Sequence, residues 1–222
     1  MTHRRVQPEI LDSLPAHHPD AIRSRRDLRL INFLMGNHRW IRRQLRTHLR
    51  PTDRILELGA GDGTLSRSLI THHLAQPEQI LALDLQPAPP EWPPSATWLQ
   101  QDLFANPLPD CEIVIANLFL HHFEAPQLAT LSARLSPTTR LLLVSEPHRH
   151  RLHILSGQLL HLFARLNPVT RHDMRLSIEA GFRQTELIDA LHLQSWQTHI
   201  TQTPLGAHRL IALEHFKKKC GC

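Results

Sequence analysis

The spacing of hydrophobic positions changes character at Asp53. Upstream, DAIRSRRDLRLINFLM (20–35) and HRWIRRQLRTHL (38–49) set apolar residues three and four apart among arginines, which predicts two amphipathic helices outside any βαβ unit. Downstream, short apolar runs alternate with longer helical stretches. RILELG (54–59), QILALD (79–84), TWLQQDL (97–103), CEIVIANLF (111–119), RLLLVSE (140–146) and HRLIALEHF (208–216) read as strands. GTLSRSLITHHL (63–74) predicts a helix with Leu65, Leu69, Ile70 and His73 near one face. EAPQLATLSARL (124–135), RLHILSGQLLHLFARL (151–166) and a segment ending at AGF (180–182) predict three more. Thr170 and Asp173 fit the T-x-x-D capping box at the start of the last of these. Pro-rich PAPPEWPPS (87–95) excludes regular structure and reads as a surface connection.

Strand, helix, strand throughout is the signature of an α/β fold with a mainly parallel sheet and helices on both faces. The expected organisation is an N-terminal helical cap (1–50), one domain (51–216) and a flexible tail (217–222). No run approaches the roughly 18 to 20 apolar residues of a membrane-spanning helix, so no membrane span is expected. MTHRRVQPEILD carries charge where an export signal needs an apolar stretch, which points to a cytoplasmic protein. Cys111, Cys220 and Cys222 give no disulfide framework.

The net charge of +5 derives from arginines in 23–54 and 134–175, interleaved with apolar residues as on solvated helix faces. No nucleic-acid partner is expected. Every lysine lies at 217–219 in the closing KKKCGC, which reads as a solvated end, with a Cys-x-Cys metal hook or a polybasic anchor as alternatives. Oligomeric state is not legible.

The chemistry concentrates in LELGAGDGTL (56–65). A strand runs into Glu57, Gly59, Gly61 and Gly63, and a helix begins at once. Glycines so placed let the backbone turn sharply and approach a ligand, while the helix offers free N–H groups. Asp84 ends the second strand, 21 residues beyond Gly63, where a carboxylate can accept both hydroxyls of an adenosine ribose. Asp102 follows at the next crevice position. The glycine pattern alone would also suit a nicotinamide dehydrogenase, but the spacing is G-x-G-x-G, an acid precedes it, and QDLF follows.

With these motifs the chain resembles the class I S-adenosylmethionine-dependent methyltransferases over about residues 50–216. The resemblance implies a Rossmann-like fold and S-adenosyl-L-methionine as cofactor. It implies that Glu57, Gly59, Ala60, Gly61 and Gly63 pack against the methionine part and that Asp84 and Leu85 lie at the ribose. Asp102 and Leu103 would meet the adenine, and Asn117 would stand beside the methyl donor. PEILD (8–12), LRLIN (28–32), VTRHD (169–173) and AGF further resemble small-molecule methyltransferases encoded beside bacterial type III polyketide synthases. That implies O-methylation of a phenolic or pyrone acceptor, often alkylated; the 151–166 helix and the cap either wall such a pocket or are plain core packing, the default for most of their leucines. A cofactor-binding protein without catalysis, or a methyltransferase with a C or N acceptor, are the alternatives. An enzyme acting on nucleic acid is disfavoured because NLFLHH stands where N-P-P-Y would, and the chain has no tyrosine.

Histidine can take a phenolic proton near pH 7. His121 and His122 follow the fourth strand and His148 the fifth, so all three are candidate pocket residues or bases, and Glu146 could hydrogen-bond a substrate or a histidine. As metal ligands the adjacent pair looks poor, because neighbouring side chains diverge and no carboxylate cluster stands nearby in sequence. No metal is expected.

Overall fold

The computed structural model describes residues 1, 3–15 and 17–214. Three helices precede the sheet: α1 (Ile10–Ser13), α2 (Pro19–Met35) and α3 (Asn37–His48). The first half of the sheet region contains β1 (Ile55–Leu58), α4 (Thr64–Thr71), β2 (Ile80–Asp84), β3 (Thr97–Gln100), β4 (Ile113–Asn117) and α5 (Ala125–Ala133). The second contains β5 (Leu141–Pro147), α6 (Arg151–Ala164), α7 (Pro168–Ala180), α8 (Glu186–Ala190), β6 (Gln197–Gln202) and β7 (Ala207–Leu213). The seven strands form one sheet in the order β3-β2-β1-β4-β5-β7-β6. β1 to β5 pair in parallel, and β7 runs antiparallel to both β5 and β6. This is a Rossmann-like, mainly parallel sheet closed at one edge by an antiparallel pair.

Alternation along the strands builds two cores. Leu56, Leu58, Leu81, Leu83, Val114, Ala116, Leu142 and Val144 cluster with Leu128 and Leu131 of α5 and with Leu187, Leu191 and Leu193. Ile55, Ile80, Ile113, Ile115, Leu141 and Leu143 belong to the other cluster, with Ile41 and Leu45 of α3 and Leu65 and Leu69 of α4. Successive strand residues point to opposite faces, so helices cover both. The segment before β1 therefore divides: α3 is a layer of the sheet, while α2 reaches over its carboxyl edge.

Several expectations are corrected. Strand, helix, strand does not hold throughout: as the prolines of 87–95 imply, no helix separates β2 from β3, and Pro107 and Pro109 leave none between β3 and β4. α4 stops at Thr71, so His73 is exposed in a left-handed turn (φ +53°) instead of lying on the buried face. Thr170 and Asp173 are not a capping box. α7 begins three residues earlier, capped by Asn167, whose side chain accepts from Val169 N–H. Asp173 instead accepts from the N–H groups of Ile10 and Leu11, each at 2.9 Å, and so caps α1 from a distance. α8 and the largely exposed β6 had no apolar signal strong enough to announce them. Residues 215–222, including the end of the expected last strand and KKKCGC, lie outside the described residues.

Candidate functional site

β1 has β2 on one side and β4 on the other, so the strand order reverses at its carboxyl end. A crevice opens at such a point, where neighbouring connections leave in opposite directions. The glycine loop lies there. Gly59, Gly61 and Gly63 have φ of +64°, +60° and +69°, a conformation that costs any other L-residue about 1–2 kcal/mol. Two of the three also lack room. A Cβ on Gly59 would lie 2.1 Å from the Phe119 ring, and one on Gly63 would lie 2.8 Å from Trp92 of the Pro-rich connection. Gly61 faces open space, so its backbone is the part of the loop a ligand can approach.

The side chains around the loop fasten it. Asp84 accepts from Gly61 N–H at 2.7 Å and from Gln86 N–H at 2.8 Å. Burial raises its carboxyl above the ordinary value despite those two bonds. Glu57 points from β1 toward α4 and accepts from both the backbone N–H and the hydroxyl of Ser66. Full burial, reinforced by the charges of Asp62 and Asp84, pushes its pKa up to about 8 although the Ser66 bonds oppose this. Ala60 is buried, and its N–H donates to Leu83 O. Leu85 is exposed beyond β2. Asp102 accepts from Phe104 N–H at 2.6 Å, and Leu103 is buried between them.

Asn117 ends β4. Its Nδ2 donates to Asn32 Oδ1 at 2.9 Å, while its own Oδ1 is buried without a hydrogen-bond partner. Asn32 belongs to α2, and one turn earlier Arg29 pairs with Asp62 of the glycine loop at 2.6 Å. α2 thus spans the crevice from Asp62 to Asn117. These contacts of Arg29, Asn32 and Asp62 were missed in the sequence. Both helix residues lie within LRLIN, but nothing in one sequence tells which helix residue reaches a loop thirty residues away.

The histidine pair occupies a 3-10 turn, Leu120–His122, held by one buried carboxylate. Glu146 accepts from the N–H groups of Phe119, Leu120 and His121 at 3.0, 2.9 and 3.3 Å, and from His121 Nδ1 at 2.7 Å. His121 Nε2 stands 3.4 Å from Glu9 Oε1. Burial disfavours charge on His121, but the bond to Glu146 and the two carboxylates outweigh it and lift its pKa to about 9. His122 Nδ1 is 3.3 Å from Asp12 Oδ2. The expectation that the two rings diverge with no carboxylate near is corrected. The tight turn brings their centroids to 4.3 Å with planes 33° apart, and PEILD delivers Glu9 and Asp12 beside them. The chain fold alone makes this juxtaposition, across more than a hundred residues.

His148 joins a different cluster. Its Nδ1 is 3.2 Å from His153 Nε2, and the rings of His150 and His208 lie 5.8 and 6.4 Å away. Burial and these neighbours lower its pKa to about 4, which makes it a weak proton acceptor. His172 is half exposed, 2.9 Å from Asp173 Oδ1.

No family model and no curated protein matches the chain. Solved structures do. The plantazolicin methyltransferase BpumL, in complex with a triazolic desmethylPZN analog and SAH, aligns over 92% of this chain and 93% of its own, with TM-score 0.64 and 14% identity. The pyocyanin biosynthetic protein PhzM aligns over 93% of this chain and 62% of its own, with TM-score 0.59 and 14% identity. Human N-acetylserotonin methyltransferase in complex with SAM aligns over 91% and 61%, with TM-score 0.55 and 16% identity. At these identities the likeness is one of fold: the chain has the fold of the class I S-adenosylmethionine-dependent methyltransferases, with its glycine loop at the switch point of the sheet.

Proposed function

We propose that the protein is an S-adenosylmethionine-dependent methyltransferase of a small, apolar, hydroxylated acceptor, with O-methylation of a phenolic or pyrone polyketide-like compound as its reaction. The observation that carries the reading is the convergence at one crevice of an open Gly61 backbone, the Asp84 carboxylate and the orphaned Asn117 Oδ1. A buried acceptor without a partner is costly unless a ligand completes it. These residues fit the cofactor. Gly59, Ala60, Gly61 and Gly63 would face its methionine part with Glu57 behind them, Asp84 and Leu85 its ribose, Asp102 and Leu103 its adenine, and Asn117 its reacting end.

The cofactor supplies a methyl group already activated on a sulfonium. The protein's contribution is alignment, which holds the acceptor oxygen in line with that methyl group and excludes water. Apolar side chains exposed on α2 (Ile22, Phe33) and α6 (Leu152, Leu155, Leu159) support a hydrophobic acceptor. Of the three candidate histidines, His121 is held between carboxylates and His148 lies in its own cluster. His122 is the one beside Phe119, whose ring lies on Gly59, so a proton-accepting role falls to it.

Calorimetric titration with S-adenosylmethionine tests the cofactor, and absence of binding by the parent protein sinks the reading. A screen of phenols, pyrones and alkylated analogues with labelled cofactor tests the acceptor. Binding without transfer to any of them would favour a non-catalytic cofactor-binding protein. His122→Ala should lower turnover while His148→Ala does not; equal activity in both removes His122 from the reaction.

A further inference from the structure

We infer that Glu9, His121 and His122 form a binding site for a divalent transition-metal cation. One ligand atom from each of the three lies within 4.8 Å of the others. His121 Nε2 is aimed into this space from a side chain only 3% exposed, and it makes no hydrogen bond. Its orientation is already set from behind. With Nδ1–H donating to Glu146 at 2.7 Å, a cation that displaces the second ring proton would take the lone pair of Nε2, the carboxylate–histidine–metal arrangement that fixes the tautomer in metal sites.

Spacing agrees with this. A tetrahedral site with bonds of about 2.0–2.1 Å has neighbouring ligand atoms about 3.3 Å apart, and Glu9 Oε1 stands 3.4 Å from His121 Nε2. The remaining carboxylate contacts are also those of a supported ligand shell. The Ser177 hydroxyl donates to Glu9 Oε1, and Asp12 stands against His122 Nδ1. Two imidazoles and one carboxylate select zinc, cobalt, nickel or iron over magnesium or calcium, whose preferred ligands are all oxygen. Three protein ligands leave one coordination position open. The ring of His122 is 6.4 Å from that of Phe119, so the cation would sit at the mouth of the crevice and tie the N-terminal segment to the exit of β4. Coordination would use the same lone pair as proton acceptance, so a His122 base belongs to the metal-free protein.

The competing occupant of the space is a direct ion pair between His121 and Glu9, and metal titration separates the two. Other groups in the chain can bind metal, namely the thiols of Cys220 and Cys222 and the cluster of His148, His150 and His153. The test therefore uses full-length protein carrying Cys220→Ser and Cys222→Ser, stripped with chelator. It is titrated with cobalt(II), followed by its visible absorption, and with zinc against a chromophoric chelator. One equivalent is expected, weakened at least tenfold by Glu9→Gln and by His122→Gln but unchanged by His150→Ala with His153→Ala, and saturating zinc should raise the parent's thermal midpoint. If a ligand variant fails to fold, the stoichiometry and midpoint of the parent and the His150/His153 variant still decide. No bound equivalent, or one lost with His150 and His153, overturns the site. None of these readouts involves methyl transfer, so the outcome is independent of the methyltransferase reading.

Discussion

The two ends of the parallel strands treat their polar groups in opposite ways. At the amino end every named group is paired. Arg140, buried before β5, binds Asp53 through Nε and Nη2 and donates to His48 O at 2.9 Å. Asp53 also accepts from Arg50 N–H, and Gln79 Nε2 ties the Pro51 and Asp53 carbonyls at 3.0 and 2.8 Å. Thr139 donates to Cys111 O, and Arg54 N–H to Glu112. The carboxyl end keeps three left-handed glycines, a carboxyl lifted to about 8, and two buried atoms without hydrogen bonds, Asn117 Oδ1 and His121 Nε2. The first arrangement closes the fold. The second leaves bonding capacity unused, which under the proposed function a ligand takes up, and that separation of stability from ligand capacity should be visible in mutants.

The largest effect is expected at the closed end. Asp53→Ala strands the Arg140 guanidinium in the interior, and breaking a buried pair this way costs about 3–5 kcal/mol. Urea unfolding should show that loss, while the affinity of the remaining folded protein for S-adenosylmethionine stays unchanged. Asp84→Ala should reverse the pattern. Hydrogen bonds to a charged group are worth about 1.5–3 kcal/mol each, so losing the two proposed ribose bonds would weaken cofactor binding by about 100-fold or more, with a smaller loss of stability than Asp53→Ala. If both variants lose affinity and stability in the same proportion, the two ends are not functionally distinct.

A smaller contrast lies within the loop. Gly59→Ala meets the Phe119 ring as well as an unfavourable φ, whereas Gly61→Ala meets only the φ. Gly61→Ala should therefore cost about 1–2 kcal/mol of stability and Gly59→Ala more. Yet Gly61→Ala is expected to be the more damaging to cofactor affinity relative to its stability cost, since its methyl would fill the open space a ligand uses. Denaturation and calorimetry on the same preparations read both quantities, and a parallel loss in the two variants would show that Gly61 is not at the contact.

Legibility in the sequence follows the same division. Period and motif spacing carried the parallel strands, the glycine turn and the acids at the strand ends, because those features are local or repeat with the sheet. They carried Glu146 as a candidate partner of a histidine, which it is, but did not say which histidine and did not carry Glu9 or Asp12. Residues at positions 9, 12 and 146 reach the pair only once α1 is pinned by Asp173 and β5 lies beside β4. The same holds for Asn32 and Asn117, 85 residues apart. Thr170 and Asp173 illustrate the converse failure: a correct local motif was outcompeted, Asp173 by the free N–H groups of α1 and Thr170 by Asp27, to which its hydroxyl donates at 2.9 Å.

A finer distinction, within the carboxyl end itself, is in protons: His38 feels the charge of Asp62, and His208 pairs in register with Glu146. His38 and His208 are held neutral by burial, with pKa values of about 4 against an ordinary 6.5. The unfolded chain takes up protons on them between those values while the folded chain does not, so stability falls as pH drops from about 6.5 to 4. Glu57 acts in the other direction. Its folded pKa of about 8 exceeds the ordinary 4.5, so the folded chain retains a proton the unfolded one has lost, and stability falls as pH rises between those values. Glu57→Gln should flatten that limb between about pH 4.5 and 6.5, leave above it the part due to His121, whose pKa of about 9 against 6.5 acts in the same direction, and leave the acid limb intact. If the proposed sulfonium cofactor occupies the loop in front of Glu57, its cation would favour the carboxylate. Binding at pH 7 should then release part of a proton, seen as a dependence of the calorimetric heat on buffer ionisation enthalpy. Glu57→Gln should abolish it, and a buffer-independent heat in the parent would mean that Glu57 keeps its proton and serves only to anchor Ser66.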